Sequence, residues 1–109
     1  MIEVNDYVRT KNGVIDKVDA LYGMIKNTVH LENQKWFDTK NIVNHSKQLI
    51  DLIEVGDYVN GKLIHKIDKG TNYCYLYYGN CKTFVNYQIK SIVTHEQFSS
   101  IEYKVEEDK

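Results

Sequence analysis

The chain has 109 residues, of which 42% are hydrophobic and 27% charged, and its formal net charge is −1. This size predicts one domain or two very small ones, and the presence of a single arginine, Arg9, argues against an extended phosphate-binding surface. No apolar run reaches the roughly 18 residues of a transmembrane helix, and residues 1–3 lack the features of a signal peptide, so we expect a cytosolic protein.

A short phrase occurs twice in the chain and indicates its organisation. Residues 2–8 read I-E-V-N-D-Y-V and residues 53–59 read I-E-V-G-D-Y-V. A second pair follows in the same order, with K-N-I-V-N-H at 40–45 and K-S-I-V-T-H at 90–95. The simplest interpretation is a tandem repeat. The predicted units are a first repeat over residues 1–51, a second repeat over 52–105 and an acidic tail over 106–109.

Each repeat is predicted to be mainly β. The repeated phrase alternates as a strand does, and Asn12-Gly13 and Asn60-Gly61 are turn signals after it. The segments at 14–18 and 63–67 then predict second strands. Repeat one has Asn5 where repeat two has Gly in the phrase, and asparagine tolerates the left-handed backbone that such a turn requires.

A hairpin is predicted in the first repeat over residues 28–37. A two-residue turn at Asn33-Gln34 sets Leu31 opposite Trp36. This register predicts that Trp36 belongs to the core and that Phe37 lies on the surface.

A second hairpin, rich in tyrosine, is predicted over residues 72–86. A two-residue turn at Gly79-Asn80 places Cys74, Leu76 and Tyr78 on an apolar core face. Exposed tyrosines suit a protein interface because they combine a large, stiff surface with a polar tip. The opposite face of this hairpin and Phe37 therefore supply the candidate protein-binding residues: Tyr73, Tyr75, Tyr77, Lys82, Phe84 and Phe37.

The tyrosine face has other interpretations. It could pack against the first repeat or a second subunit, and the edge strands leave homodimerisation open. Its rings could also stack on nucleotide bases with Lys82 beside a phosphate.

A short helical turn is predicted after each repeat. Thr94 through Gln97 fits a capping box, in which Thr94 is the N-cap and Gln97 reaches back to it. Asn44 is predicted to cap a similar short helix over residues 46–50.

Several polar residues recur at matching positions without forming a known catalytic pattern. Asp6 and Asp57 could be a carboxylate pair, but an aspartate beside Gly or Asn at a strand entry favours a turn-capping role. His45 and His95 have no metal-ligand spacing, so we interpret them as structural.

The remaining chemistry also favours a binding role over catalysis. Cys74 and Cys81 are predicted to be about 13 Å apart on one hairpin face, too far for a disulfide, and are interpreted as reduced, buried thiols. The sequence contains no phosphate-binding glycine loop and no nucleophile motif, so we expect no enzyme activity, no metal and no cofactor.

The phrase V-G-D-Y-V (55–59) with its following glycine turn resembles the opening of SH3-like and KOW-like barrels. This resemblance implies a mainly β fold of two tandem small SH3-like barrels with a short helical turn after each. The stretches at 51–61 and 92–98 also resemble small phage and prophage proteins of low-GC Gram-positive bacteria.

Accessory phage proteins of that kind are often antagonists of host defence, including inhibitors of CRISPR systems. The resemblance therefore implies a non-enzymatic protein that binds and blocks a host protein or ribonucleoprotein complex in the host cytosol. Two alternatives remain open: a KOW-like nucleic-acid-binding module, which the slightly acidic charge disfavours, and a protein that sequesters a nucleotide or other small molecule.

Overall fold

Short antiparallel strands are the main regular structure of the protein, which is a computed structural model that describes residues 1–22, 28–33 and 36–101. The first half contains five strands: β1 (Tyr7–Thr10), β2 (Ile15–Tyr22), β3 (Thr28–Leu31), β4 (Trp36–Asp38) and β5 (Ile42–Ser46). The second half contains six: β6 (Tyr58–Val59), β7 (Lys62–Leu63), β8 (Lys66–Lys69), β9 (Cys74–Tyr78), β10 (Lys82–Phe84) and β11 (Ile92–Val93). The prediction of a mainly β chain is confirmed.

The helical elements are short. Three 3-10 turns cover Thr39–Asn41, Leu49–Leu52 and Asn86–Gln88, and one α-helix, α1, covers His95–Ile101. The capping box at α1 is confirmed, because the Thr94 amide donates to Gln97 Oε1 at 3.2 Å and the Gln97 amide donates to Thr94 Oγ1 at 3.3 Å. The helix predicted over 46–50 is wrong, because β5 continues through Ser46 and the following turn begins at Leu49.

The two halves order their strands in the same way. The first half forms one five-stranded sheet in the order β4-β3-β2-β1-β5. The second half forms two three-stranded sheets, β10-β9-β8 and β11-β6-β7, which give the same order if β7 and β8 count as one interrupted strand. Within the described residues these sheets are open, so the two closed barrels that the sequence predicted are not seen. The second ladder is broken at Ile64 and His65, which separate β7 from β8.

The register of the first hairpin differs from its prediction by one residue. His30 pairs with Trp36 and Val29 pairs with Phe37. Because side chains alternate along a strand, this shift exchanges the core-facing and solvent-facing residues of β4. Phe37 packs against the core of the first half, and Trp36 is 51% exposed, so the predicted burial of both residues is wrong.

The second hairpin is also shifted by one residue, but in the opposite direction along its first strand. Lys82 pairs with Tyr78 and Phe84 pairs with Leu76, so the loop contains Gly79, Asn80 and Cys81. Gly79 and Cys81 both have positive φ, at 57° and 62°. The predicted two-residue turn placed Cys81 in a strand, where φ is negative. The predicted core face of β9 is confirmed, because Leu76 is buried and Cys74 and Tyr78 pack against the core.

Each half has its own hydrophobic core. The buried residues of the first core are Val8, Val18, Val29 and Leu31. The buried residues of the second core are Ile50, Ile53, Val59, Ile64 and Leu76. Ile15, at the start of β2, packs against the second core and so helps to join the halves. No helix in the described part of the chain has the length and apolar character needed to cross a membrane.

Candidate functional site

The repeated phrase forms the same turn in both halves. The Asp6 carboxylate accepts the Glu3 amide at 3.0 Å, and the Asp57 carboxylate accepts the Glu54 amide at 2.7 Å. Asn5 has φ 77° and Gly56, at the matching position, has φ 101°. The turn-capping role predicted for both aspartates is therefore confirmed, as is the survival of the turn with asparagine in place of glycine.

Arg9 occupies the boundary between the halves and is fully buried. Its Nη1 donates to Asp57 Oδ2 at 2.5 Å and its Nη2 donates to Asp57 Oδ1 at 3.0 Å. Nη1 also donates to the Leu52 carbonyl oxygen at 2.9 Å, Nη2 donates to Glu96 Oε1 at 2.5 Å, and Nε lies 3.5 Å from Glu54 Oε2. Burial alone would lower the pKa of Arg9, but these carboxylates raise it. A strand of the first half is thus anchored to the second half through a buried charge.

His95 adds a second ionisable group to this cluster. Its Nε2 lies 2.8 Å from Glu54 Oε1 and 3.6 Å from Glu96 Oε2, and its amide donates to Asp57 Oδ1 at 2.9 Å. The hydrogen bond with Glu54 raises the pKa of His95, and burial opposes this only in part. The imidazolium form is therefore favoured.

The donor atoms of Glu54, His95 and Glu96 all lie within 4.8 Å of one another, which is the spacing of a candidate metal site among the described residues. Each glutamate, however, also contacts the buried guanidinium of Arg9. A divalent cation would have to share both carboxylates with that positive charge. The contacts therefore assign the group to ion pairing across the boundary.

The matching cluster of the first half is closer to solvent. Lys47 Nζ lies 2.7 Å from Asp6 Oδ1 and 2.6 Å from Glu3 Oε1, and His45 Nδ1 lies 3.3 Å from Asp6 Oδ2. Burial would raise the pKa of Asp6, but hydrogen bonds from Lys47 and the Glu3 amide outweigh it and lower that pKa. Asp6 itself is buried, whereas the Lys47 side chain is 60% exposed.

Three tyrosines of the second hairpin share one surface, which we call the tyrosine face: Tyr73 and Tyr75 are exposed and Tyr77 is half-buried. The rings of Tyr73 and Tyr75 stack with centroids 5.5 Å apart, and 48% and 38% of these residues are exposed. Tyr77 shares the strand face of Tyr75, and Lys66 Nζ lies 5.1 Å from its ring centroid. The structure brings these three predicted residues together.

The other predicted binding residues lie elsewhere. Phe84 pairs with Leu76, is half-buried and stacks on Tyr78 with ring centroids 4.2 Å apart, so it belongs to the core side of the hairpin. Lys82 is exposed, but its pairing with Tyr78 sets it on the same side as Phe84. Phe37 packs against the first core. The predicted placement of Phe84 and Lys82 beside the tyrosines and the predicted exposure of Phe37 are wrong, because both hairpin registers shift by one residue.

A groove of about 750 Å³ adjoins the tyrosine face. One wall is the segment after β5, another is the turn between β8 and β9, and the third is the 3-10 turn after β10. We call it the tyrosine groove, and its aromatic residues are Tyr73, Tyr75 and Tyr87. Cys74 also lines it, and burial raises the pKa of that thiol, which favours its neutral form.

The sequence alone did not locate this groove, its two lysines, Tyr87 or the role of Gly70. Lys47 and Lys69 both line it, and Tyr87 is 81% exposed at its edge. Gly70 permits the close approach of Tyr73, because a Cβ at Gly70 would come 2.2 Å from the tyrosine ring. The G-T-N sequence at 70–72 was the available signal, since a cluster of Gly, Thr and Asn between two strands marks a loop.

The cysteines are both free thiols in the structure. Cys74 is half-buried, whereas Cys81 is exposed in the hairpin loop, so the prediction of two buried thiols is wrong for Cys81. A second, smaller cavity of about 310 Å³ lies between the halves, with Tyr7 and Lys17 on one side and Ile89 and Lys90 on the other.

Comparison with known proteins does not extend these observations. No protein-family model, no curated protein and no solved structure matches the chain.

Proposed function

We propose that the chain is a non-enzymatic binding protein that covers and blocks a surface of a host protein. The observation that carries this proposal is the exposed, stacked pair Tyr73 and Tyr75 on a hairpin held rigid by the second core. Tyrosine provides large contact area with little side-chain entropy to lose, and it is enriched among residues that dominate binding energies. The chain's net charge of −1 supports a protein partner more than a nucleic-acid backbone.

We further propose that the host partner is a defence component, such as a CRISPR effector protein or its ribonucleoprotein complex, met in the host cytosol. The support is the resemblance of residues 51–61 and 92–98 to phage and prophage proteins. The alternative of a KOW-like nucleic-acid-binding module rests on the same tyrosines, but in that function lysines should flank them. Lys66 lies beside Tyr77, and Lys47 and Lys69 line the adjoining groove. Those two are paired with carboxylates, however, and Lys82 lies on the other side of the hairpin.

The proposed fold is two SH3-like units in tandem. Two features support it: the common strand order of the halves, and the 3-10 turns at Thr39–Asn41 and Asn86–Gln88 before the last strand of each half. The sheets differ from closed barrels because, among the described residues, the outer strands of each half are not paired with each other, and the second half is also interrupted between β7 and β8. A rigid small-barrel scaffold is well suited to present a hairpin to a partner.

The test is capture of host proteins from a lysate by the wild-type chain and by a triple variant, Tyr73→Ala, Tyr75→Ala and Tyr77→Ala. We expect a stoichiometric partner with the wild type and its loss with the triple variant, because the variant removes most of the proposed contact area. Captured effector complexes should also cleave their target DNA more slowly when the wild-type chain is bound.

The matched control removes three exposed apolar side chains elsewhere, through Val43→Ala, Val55→Ala and Leu63→Ala, which are 52%, 58% and 47% exposed. This control should capture the partner as the wild type does, and circular dichroism should show that both variants fold. Capture by the tyrosine variant at the wild-type level, or no stoichiometric partner in any lysate of the host, would refute the proposal.

A further inference from the structure

The tyrosine groove has the features of a small-ligand site. Its volume of about 750 Å³ lies within the usual range for ligand pockets, roughly 300–1,000 Å³. Ile50, Cys74 and Val85 give it an apolar lining, and the tyrosines stand at its sides. An apolar interior with a few polar groups at the edge is the common composition of such sites.

One aromatic wall is held in place before any ligand binds. The Gly70 amide donates to the Tyr73 carbonyl oxygen at 2.9 Å, which closes a tight turn over residues 70–73. The Tyr73 ring lies so close to Gly70 that a methyl group there would overlap it, and the ring also stacks on Tyr75. A planar ring entering the groove therefore meets an aromatic surface whose position is already set.

The charged residues that line the groove are Lys47, Lys69 and Asp51. Lys69 Nζ lies 3.2 Å from Asp51 Oδ1, and Lys47 is held by Asp6 and Glu3. An ammonium group has three N–H donors, more than these carboxylate contacts use. Each ammonium group therefore keeps at least one N–H donor for an anionic group of a ligand.

We propose that the tyrosine groove binds a mononucleotide, with the base against Tyr73 and the phosphate beside Lys69 and Lys47. Base stacking on an aromatic side chain tolerates every base, whereas the ammonium groups require an anion. The site goes beyond the protein-binding proposal, because it uses groove residues that a partner protein on the tyrosine face does not need.

The test is isothermal titration of the full chain with AMP, GMP, CMP and UMP, each compared with its nucleoside. We expect saturable one-to-one binding of at least one nucleotide and much weaker binding of the matching nucleoside. Tyr73→Ala should weaken binding about tenfold through loss of stacking. Lys69→Gln should abolish most of the preference for the nucleotide over the nucleoside.

Tyr77→Ala is the matched control, because Tyr77 belongs to the tyrosine face but does not line the groove. It should leave nucleotide affinity unchanged while weakening capture of a protein partner, so failure of either proposal is visible without the other. Gly70→Ala keeps every groove side chain but displaces the Tyr73 ring, and it should weaken binding as Tyr73→Ala does.

Three results would overturn the proposal. The first is no saturable binding of any of the four nucleotides at millimolar concentration. The second is equal affinity for nucleotide and nucleoside, or unchanged affinity in folded Tyr73→Ala and Lys69→Gln proteins. The third is displacement of the bound nucleotide by a short single-stranded oligonucleotide of much higher affinity, with a steep salt dependence, which would assign the groove to a nucleic-acid strand.

Discussion

The turns at Glu3–Asp6 and Glu54–Asp57 are nearly the same in sequence and backbone but differ in what neutralises the aspartate. In both, the carboxylate accepts the amide three residues before it, and the aspartate amide donates to the glutamate carbonyl oxygen at 3.0 Å. Asp6 is paired with Lys47, whose side chain is mostly in solvent. Asp57 is paired with Arg9, which is buried and comes from the other half.

This difference indicates that the turn at Glu3–Asp6 is stabilised from within the first half, whereas the turn at Glu54–Asp57 also links the second half to the first. A repeated phrase specifies a local hydrogen-bonding pattern, because that pattern involves residues three apart. The partner of the remaining carboxylate oxygen comes from distant sequence. Two of the comparisons below change the two halves at matching positions and measure how far their equivalence extends, and the third changes one group at the boundary between the halves.

The largest difference is expected between Asp57→Asn and Asp6→Asn. The amide can still cap each turn, so the variants remove mainly the charge. Asp57→Asn leaves the buried guanidinium of Arg9 without its bidentate partner, which costs about 3–5 kcal/mol of unfolding free energy. Asp6→Asn leaves an exposed ammonium that water can solvate, which costs about 1 kcal/mol or less.

Urea unfolding of the two variants and the wild type provides the measurement. The double variant Arg9→Met with Asp57→Asn is the control, since removing both charges should recover part of the loss. Equal destabilisation by Asp57→Asn and Asp6→Asn would show that Arg9 contributes nothing beyond an ordinary surface ion pair.

A smaller difference is expected between Gly13→Ala and Gly61→Ala, which alter the corresponding turns of the two halves. Both glycines have positive φ, 85° and 79°, so each substitution costs about 1 kcal/mol of backbone strain. A Cβ at Gly13 would also lie 2.2 Å from Thr94 Oγ1, whereas nothing lies within 4 Å of one at Gly61. Overpacking adds about 1–3 kcal/mol to the cost at Gly13.

Thermal unfolding should therefore show a clearly lower midpoint for Gly13→Ala than for Gly61→Ala. The comparison controls for backbone strain, because only the contact with the other half differs. Similar midpoints for the two variants would mean that the turn at Gly13 can move away from Thr94 without loss.

The smallest expected effect concerns pH and His95. The folded-state pKa of His95 is raised above its ordinary value of 6.5, so its stabilising contribution is complete below pH 6.5. It is lost as the pH rises through the folded-state pKa. Because His95 is 43% exposed, we expect the contribution to be under about 1 kcal/mol.

Urea unfolding of the wild type and His95→Gln should be compared at a series of pH values from below 6.5 upward. The stability difference between them should shrink as the pH rises. A difference that stays constant, or that grows with pH, would contradict the assigned pairing of His95 with Glu54.

Local features were predictable from the sequence wherever neighbouring residues decide them. The capping box at Thr94 and Gln97 and the aspartate turns all involve contacts between residues three apart. The apolar face of β9 followed from the two-residue period of a strand. In each case the residues that determine the feature lie within one short segment, so the sequence alone is enough to predict it.

The hairpin registers were not predictable because they depend on loop length. Compared with a two-residue turn, Trp36 pairs one residue earlier on its partner strand and Lys82 pairs one residue later, and either single step exchanges the two faces of the second strand. Phe84 and Phe37 therefore pack against the cores, at positions that the predicted registers gave to their sequence neighbours. Packing of a large aromatic ring against a core outweighs the preference of a Gly-Asn turn.

The sequence by itself determined a mainly β chain made of two similar halves, each opened by the same capped turn, because alternation and short-range hydrogen bonding need only local information. Tertiary structure alone decided where the single arginine goes. Arg9 is buried because the second half surrounds it with Asp57, Glu54 and Glu96, from 45 to 87 positions away in the chain. Tertiary structure also determined where the tyrosine groove forms. The three walls of the groove meet only when the second half folds against the segment that connects the two halves.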